Sequence, residues 1–504
     1  MIGGLDYSRP KAAGERLRSF AEDCHRFLHK TVLLTGEREI LATDNGRECL
    51  LVSLRLVTRI CANVSITLPS EAGLLLEECE TLVDQLGCGS VVSFVPSPIK
   101  LESYDAILNI GGSVKPDLPW TTINSNGWLA RVSSGTKPLG RDCSQSNPIG
   151  AMVAACLGVT EVFKRLIRLK ESRGRLANGL TFSVFSFSEH DPSAGPQIPA
   201  ELSLDLLLVG AGAIGNGVIY LLSRLPTSGK AAIIDGQTFG PENFGTCIMM
   251  GSSEIGVSKA RFAAQALNHP GFTATGFEGE FSQVYSQMNG QASPSVVLTA
   301  LDNIDARHEV QSELWPDLII DGAIGDFACQ VSRHPWGQDV ACLKCLFVEP
   351  SSEPAEAIAS RATGLTLDRS KQPSSSINED DIQLAPAEKR EWLTRRLGRQ
   401  VCSVIEEGVA QVISEEKQTA AFHPSVPFVA CLSAAMMVGE LVKFLARTPS
   451  PLEPRYQLDV LRGPVNGLFL PQERRRDCIC HTRRHNIELV RSLRNSTHGS
   501  QKPF

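Results

Sequence analysis

The stretch Asp205-Leu-Leu-Leu-Val-Gly-Ala-Gly-Ala-Ile-Gly-Asn216 decides the fold. An apolar run, Leu206 to Val209, enters a glycine turn, a helical pattern continues to Leu225, and a second apolar run ends at Asp235. Strand, tight turn, helix, strand is the building unit of a parallel sheet in an α/β fold. Within the turn, Gly210 permits the bend, Gly212 lets backbone N–H groups approach a phosphate, and Gly215 lets the helix lie close on the strand. Asp235 follows Gly215 by 20 residues, where a carboxylate accepts hydrogen bonds from both ribose hydroxyls. These residues mark a nucleotide site. They leave open which nucleotide, because a NAD-dependent oxidoreductase and an ATP-using adenylyltransferase share the geometry.

Residues further along discriminate. Asn216, Asn243 in Pro-Glu-Asn-Phe-Gly, Lys259 in Gly-Val-Ser-Lys-Ala, and Asp302-Asn303 supply amides, a cation and a carboxylate. A lysine can neutralise a triphosphate and a carboxylate at a strand end can hold Mg²⁺ against phosphate oxygens; hydride transfer needs neither. With Arg307, Gly322-x-x-Gly325 and Cys342-Leu-Lys-Cys345 in the same order, residues 205 to 347 resemble the adenylation domain shared by MoeB, ThiF and the ubiquitin-activating enzymes. The resemblance implies that Asp235 holds ribose, Asn243 and Lys259 the triphosphate, and Asp302 the magnesium ion. One position departs: the family's arginine three residues after the asparagine is Thr246 here. The resemblance offers Arg131 or Arg141 of the first half as substitutes, since an arginine reaches this site from the partner domain in two-fold members.

The rest of the chain reads as four parts. Residues 1–195 show a second α/β rhythm, with strands at Asn63 to Pro69, Ser90 to Val95 and Tyr104 to Ile110, helices at Glu71 to Leu86 and from Asn147-Pro148 to about Leu169, and mixed helical surface before residue 60. This half has no Gly-x-Gly-x-x-Gly and is expected to be an inactive adenylation-like domain. Residues 196–348 form the active ATP-binding domain. Residues 349–415 make a crossover segment, whose stretch to residue 383 is rich in Ser, Pro, Glu and Asp and reads as loop. Residues 416–504 hold an apolar helix from Pro424 to Ala446 and a polar, frayed final 17 residues or so. The expected fold is therefore two Rossmann-like adenylation-type domains, a pseudo-dimer within one chain or a homodimer, with a cysteine-bearing crossover.

Cys342 and Cys345, with Cys478 and Cys480, suit tetrahedral Zn²⁺ bound by thiolates; His481 is an alternative to one sulfur. In the resembling family such pairs hold a structural zinc. Among the 15 cysteines, Cys61, Cys156 and Cys431 sit among apolar neighbours and read as packing. Cys402 follows Arg395, Arg396 and Arg399, cations that favour thiolate, and activating enzymes of the superfamily carry their thioester cysteine in this part of the chain. Cys402 is the expected nucleophile, ahead of Cys247 and Cys329.

Charge and composition exclude other classes. Lys plus Arg total 49 against 55 Asp plus Glu, a formal charge of -6, which gives no broad cationic field for nucleic acid. The absence of a long uncharged apolar run argues against a membrane span. An odd number of scattered cysteines suits a reducing compartment, and a cytoplasmic location is expected. The whole chain is most similar to the activating enzyme of bacterial Bil-type anti-phage conjugation systems. That implies a ubiquitin-like substrate ending in glycine, a conjugating-enzyme acceptor, and ATP, Mg²⁺ and structural Zn²⁺ as cofactors. The alternatives are a sulfur-carrier adenylyltransferase without a thioester, a NAD-dependent oxidoreductase, and a binding scaffold.

Overall fold

The computed structural model describes residues 4–97, 99–287, 294–337, 339–347, 355–372, 375–401, 404–405, 408, 426–451 and 454–498. The chain divides into two compact units, Met1–Leu346 with Pro424–Phe504, and Phe347–His423.

The larger unit holds two sheets. The first contains β1 (Thr31–Gly36), β2 (Asn63–Ile66), β3 (Val92–Phe94), β4 (Ala106–Ile110), β5 (Trp120–Asn126), β6 (Leu129–Ser133) and β7 (Leu180–Ser183). Their order is β3-β2-β1-β4-β5-β6-β7, parallel through β5 and antiparallel thereafter. The second contains β8 (Leu202–Val209), β9 (Thr227–Ile234), β10 (Phe272–Phe277), β11 (Val296–Thr299), β12 (Leu318–Gly325), β13 (Ala328–Pro335), β14 (Arg455–Asp459) and β15 (Leu468–Leu470). Its order, β10-β9-β8-β11-β12-β13-β14-β15, repeats the first sheet strand for strand and adds β15 at the edge. Here too the strands are parallel through β12 and antiparallel beyond it. The two-domain α/β architecture expected from the sequence is the one observed.

The duplication extends to helices. Pro148–Ile167 and Pro427–Leu445 each begin with proline in the first turn, where its missing N–H costs nothing. Glu161 and Glu440 each follow that proline by 13 residues, and Lys164 and Lys443 by 16. Both Glu–Lys pairs are buried and hydrogen-bonded, at 2.5 Å and 2.7 Å. The two helices pack on each other, Pro148–Ile167 also on the Asp44–Val57 helix and Pro427–Leu445 on the Ala213–Leu222 helix. At the seam, the Phe163 ring meets Phe327 at 5.7 Å and Phe428 at 5.6 Å. Pro427–Leu445 is long and apolar enough to cross a bilayer by composition, but it lies inside this core.

Three expectations need correction. The segment before residue 60 is not mixed helical surface: β1 runs through the centre of the first sheet, with Val32, Leu33 and Leu34 fully buried. A short strand covered on both faces has no alternating pattern to betray it. Residues 349–383 are not loop throughout. The smaller unit has helices Ala355–Thr363, Leu367–Ser370, Glu379–Leu384 and Ala387–Thr394 around a core of Leu365, Ile377, Ala385, Leu393, Val401 and Val404. Its polar residues serve as caps: Thr366 accepts from the Arg369 N–H, and Asn378 and Asp381 form a capping box. Finally, the described part of the stretch expected to be frayed belongs to a helix, Arg484–His498, and residues 499–504 lie outside the described residues.

Candidate active site

In the second sheet β8 and β11 are neighbours, while β9 lies on the far side of β8, so the strand order reverses between β8 and β11. Ligands of open α/β sheets bind at the carboxyl ends of strands at such a point. The glycine turn leaves β8 there and Leu301-Asp302-Asn303 leaves β11 there. Gly210 adopts φ +94°, a region that disfavours side chains, and a Cβ on it would collide with the Ala300 carbonyl. A Cβ on Gly215 would collide with the Gly210 carbonyl, whereas Gly212 opens onto free space at the N-cap of the Ala213–Leu222 helix. Gly210 thus makes the bend, Gly215 allows close packing on it, and Gly212 leaves the start of the helix open.

Asp235 stands at the end of β9. Its carboxylate accepts from the Ala211 N–H at 2.7 Å and the Gln237 N–H at 2.8 Å, which ties it to the glycine turn. Lys259, 4% exposed, donates to the Gln237 side chain at 2.7 Å. Its buried ammonium therefore meets a neutral amide, with the Phe239 ring centroid 6.0 Å away. Asp302 is exposed beside Asn303, whose side chain donates to it at 3.2 Å and caps the Ile304–Glu313 helix by accepting from the Ala306 N–H at 2.7 Å. Behind them, Arg307 bonds Asp321 at 2.8 Å and the carbonyls of Asn303 and Gly322, both at 3.2 Å. Asp321 is fully buried; burial raises its carboxyl, and the Arg307 guanidinium with the Thr299 hydroxyl opposes that.

The loop from Gly240 to Met250 joins these groups. Asn243 accepts from the Gly240 N–H at 2.9 Å, and Asn216 accepts from the Met249 N–H at 2.7 Å, so Asn216 pins the loop to the helix behind the glycine turn. Two arginines of the first half grip the same loop. Arg9 donates to the Thr246 hydroxyl at 3.4 Å. Arg59, fully buried, donates to the carbonyls of Cys247 at 3.0 Å, Ile248 at 2.8 Å and Met250 at 2.7 Å, and lies over the Phe244 ring at 4.7 Å. Burial, with the Arg55 charge beside it, pushes the Arg59 guanidinium down to about 10.

At the matching point of the first sheet, β1 ends in Gly36-Glu37 rather than a glycine-rich turn. The Glu37 carboxylate accepts from the N–H groups of Gly112 at 3.0 Å and Ser113 at 2.7 Å and from the Ser113 hydroxyl, and pairs with Arg141 at 2.9 Å. Burial alone would raise this carboxyl, but those hydrogen bonds and Arg141 bring it below the usual range. A protein carboxylate occupies the backbone donors at the carboxyl end of β4.

Cys342, Cys345, Cys478 and Cys480 come together from segments more than 130 residues apart. Sulfur separations are 3.8 Å (Cys342 to Cys345), 3.7 Å (Cys342 to Cys478) and 3.5 Å (Cys345 to Cys480), and all four are buried. Zinc–sulfur bonds of about 2.3 Å in a tetrahedron place sulfurs roughly 3.8 Å apart, so the set fits Zn²⁺. The Arg475 N–H donates to Cys345 Sγ at 3.3 Å, an orienting bond of the kind that supports metal ligands. His481 is exposed and stays outside the cluster.

Comparison with known proteins places the chain. The BilD N-terminal domain matches residues 31–182 and the BilD C-terminal domain residues 202–333, together more than half of the sequence. It belongs to the BilD family. The chain is 26% identical over 393 residues to the uncharacterized protein y4jF of Sinorhizobium fredii, covering 74% of each. Among solved structures, Escherichia coli MccB with AMPCPP and MccA overlaps at TM-score 0.37 and 13% identity, over 55% of this chain and 67% of that one. MccB with ATP overlaps at TM-score 0.33 and 13% identity, over 55% and 65%.

Within this BilD sequence the substitutes offered for Thr246 are corrected. Arg131 stays on its own sheet, bonded to Asn124 at 3.2 Å and the Asp142 carbonyl at 2.8 Å, and Arg141 is held by Glu37. The arginine beside Thr246 is Arg9, which sequence reading missed because Ser8-Arg9-Pro10 carries no motif. Arg59 left a signal: with Arg55, it is a charge in the mostly apolar run from Leu54 to Ala62, whose other polar residue is Thr58. Cys402 lies outside the described residues. Cys247 and Cys329 are buried, and burial raises both thiols; Cys61, Cys156 and Cys431 are buried as packing residues should be.

Proposed function

We propose that this chain activates the C-terminal glycine carboxylate of a ubiquitin-like protein with ATP, captures the acyl group on Cys402, and delivers it to a conjugating enzyme in bacterial antiviral defence. The observation that carries the reading is the convergence of Gly212, Asp235, Lys259 and Asp302 around one switch point. The carboxylate oxygen attacks the α-phosphorus of ATP, the bond to the β-phosphate oxygen breaks, and pyrophosphate leaves. The open helix N-terminus at Gly212 receives phosphate oxygens, Asp235 receives the ribose hydroxyls, and Lys259 and Arg9 stabilise charge on the departing pyrophosphate. Mg²⁺, when bound, neutralises the phosphates, and Asp302 with Asn303 is the donor set that fits it. The Cys402 thiolate then attacks the acyl carbon and AMP leaves, which forms the thioester. Zn²⁺ on the four cysteines pins the C-terminal segment to the core and takes no part in the chemistry.

Two measurements test this. The chain should exchange labelled pyrophosphate into ATP only with a glycine-ended ubiquitin-like partner; tight NADH binding without exchange would refute it. With ATP and partner it should also acquire an adduct released by thiol reductant, absent in Cys402→Ala while exchange persists. Exchange without any adduct in the wild-type chain would replace the thioester step with the sulfur-carrier reading.

A further inference from the structure

The duplicated Glu–Lys pairs differ in what lies against them. In the second half, the Lys443 ammonium bonds Glu440 and faces two aromatic rings of the first half, Phe187 at 4.5 Å and Phe185 at 5.3 Å. These rings belong to the segment that follows β7. In the first half, Lys164 bonds Glu161 at 2.5 Å and the Arg175 carbonyl at 2.8 Å. The segment facing it follows β14, the strand that matches β7, and it carries no aromatic residue from Val460 to Val465. In place of rings there is a cavity of about 320 Å³ lined by Leu157, Leu176, Val460 and Lys164, with Arg175 and Arg462 among its walls.

We infer that this cavity is a binding site for a small aromatic monocarboxylate. The volume suits a one- or two-ring molecule, and the lining sets apolar Leu157, Leu176 and Val460 beside charged groups that can fix a ligand's orientation. The protein shows at its other copy what such an ammonium accepts on its open side, the face of a phenyl ring. Lys164 has three N–H donors and two recorded acceptors, and its side chain is 3% exposed, so the ring would meet it away from water. Arg462 on the lining favours a carboxylate on the ligand, and Arg175 beside it is already 3.5 Å from Glu171. Glu161, already held by Lys164 and the Ala177 N–H, and Glu189 on the lining limit that charge to one. The inference is independent of the adenylation reading.

Titration of the full chain with benzoate and 2-naphthoate, followed by ligand-observed NMR and calorimetry, tests it. Saturable binding at one site per chain is expected. Cyclohexanecarboxylate, the same acid without a π face, should bind roughly 3- to 30-fold more weakly, the range of a desolvated cation–π contact. Leu176 is 40% exposed, so Leu176→Trp can place its ring in the cavity without disturbing the core, and it should abolish binding. Lys164→Met should weaken it, provided the variant melts cooperatively. The inference is overturned if neither aromatic acid binds saturably, if the saturated acid binds equally well, or if Leu176→Trp binds as the wild type does.

Discussion

The two halves of the larger unit share a strand order but differ at one turn. After β8 the chain runs through three glycines into a helix whose first turn is open; after β1 it runs into Glu37, whose carboxylate takes the N–H groups of Gly112 and Ser113 and the Arg141 guanidinium. An open helix start and its carboxylate-filled counterpart stand on the same scaffold. The first half then acts as a support: its Arg59 and Arg9 hold the Gly240 to Met250 loop of the second. A duplicated fold can lose one site and keep the half, because burial of the shared seam does not depend on the turn.

The comparison breaks most sharply at Asp302. Asp302→Ala should lower pyrophosphate exchange at least 10²- to 10³-fold, about 3–4 kcal/mol of transition-state stabilisation, whereas Glu37→Ala should stay within about twofold of wild type. Loss of exchange in Glu37→Ala with an intact fold would give the first half a catalytic share. Next in size is the cysteine cluster of the second half: Cys342→Ser should lose one zinc equivalent and roughly 5–10 °C in melting temperature, since structural metal binding adds directly to folding. Unchanged metal content would assign the four thiols to packing.

Arg59 sharpens the comparison by testing support. Arg59→Met leaves three loop carbonyls without their donor and should cost about 2–4 kcal/mol of stability. In the folded fraction it should raise KM for ATP more than it lowers kcat, and Arg59→Lys should not restore KM, because an ammonium cannot span three carbonyls as a guanidinium fork does. The smallest effect belongs to Glu37. Its carboxyl is lowered in the folded chain, so its contribution is present above the ordinary carboxylate range and disappears as pH falls through the folded value. The stability gap between wild type and Glu37→Gln, about 1 kcal/mol or less, should therefore be open at pH 7 and closed in acid. A gap that widens in acid would reverse the sign.

What the sequence made legible follows from range. The glycine turn and the Pro148 helix were readable because local backbone demands fix residue type: a bend needs glycine, and a helix start tolerates proline; the apolar helix read from Pro424 begins at Pro427. The cysteine pairs were readable because thiolate chemistry is specific, though only the fold shows Cys480 rather than His481 completing the set. Arg9 and Arg59 were not readable as site residues, since each acts across more than 180 residues of chain on backbone carbonyls or a hydroxyl that could belong to any loop. β1 was hidden for the opposite reason: it is short and buried on both faces, so neither periodicity appears. Residues 349–383 read as loop because their Thr366 and Asn378 caps look like loop composition without their helices.

The central claim is that one half binds nucleotide and the other only supports it. Equilibrium titration of the full chain with ATP and Mg²⁺ tests this most directly: the account predicts one ATP per chain, with affinity lost in Lys259→Ala and kept in Glu37→Ala. Two ATP per chain, or loss of binding in the folded Glu37 variant, would contradict it.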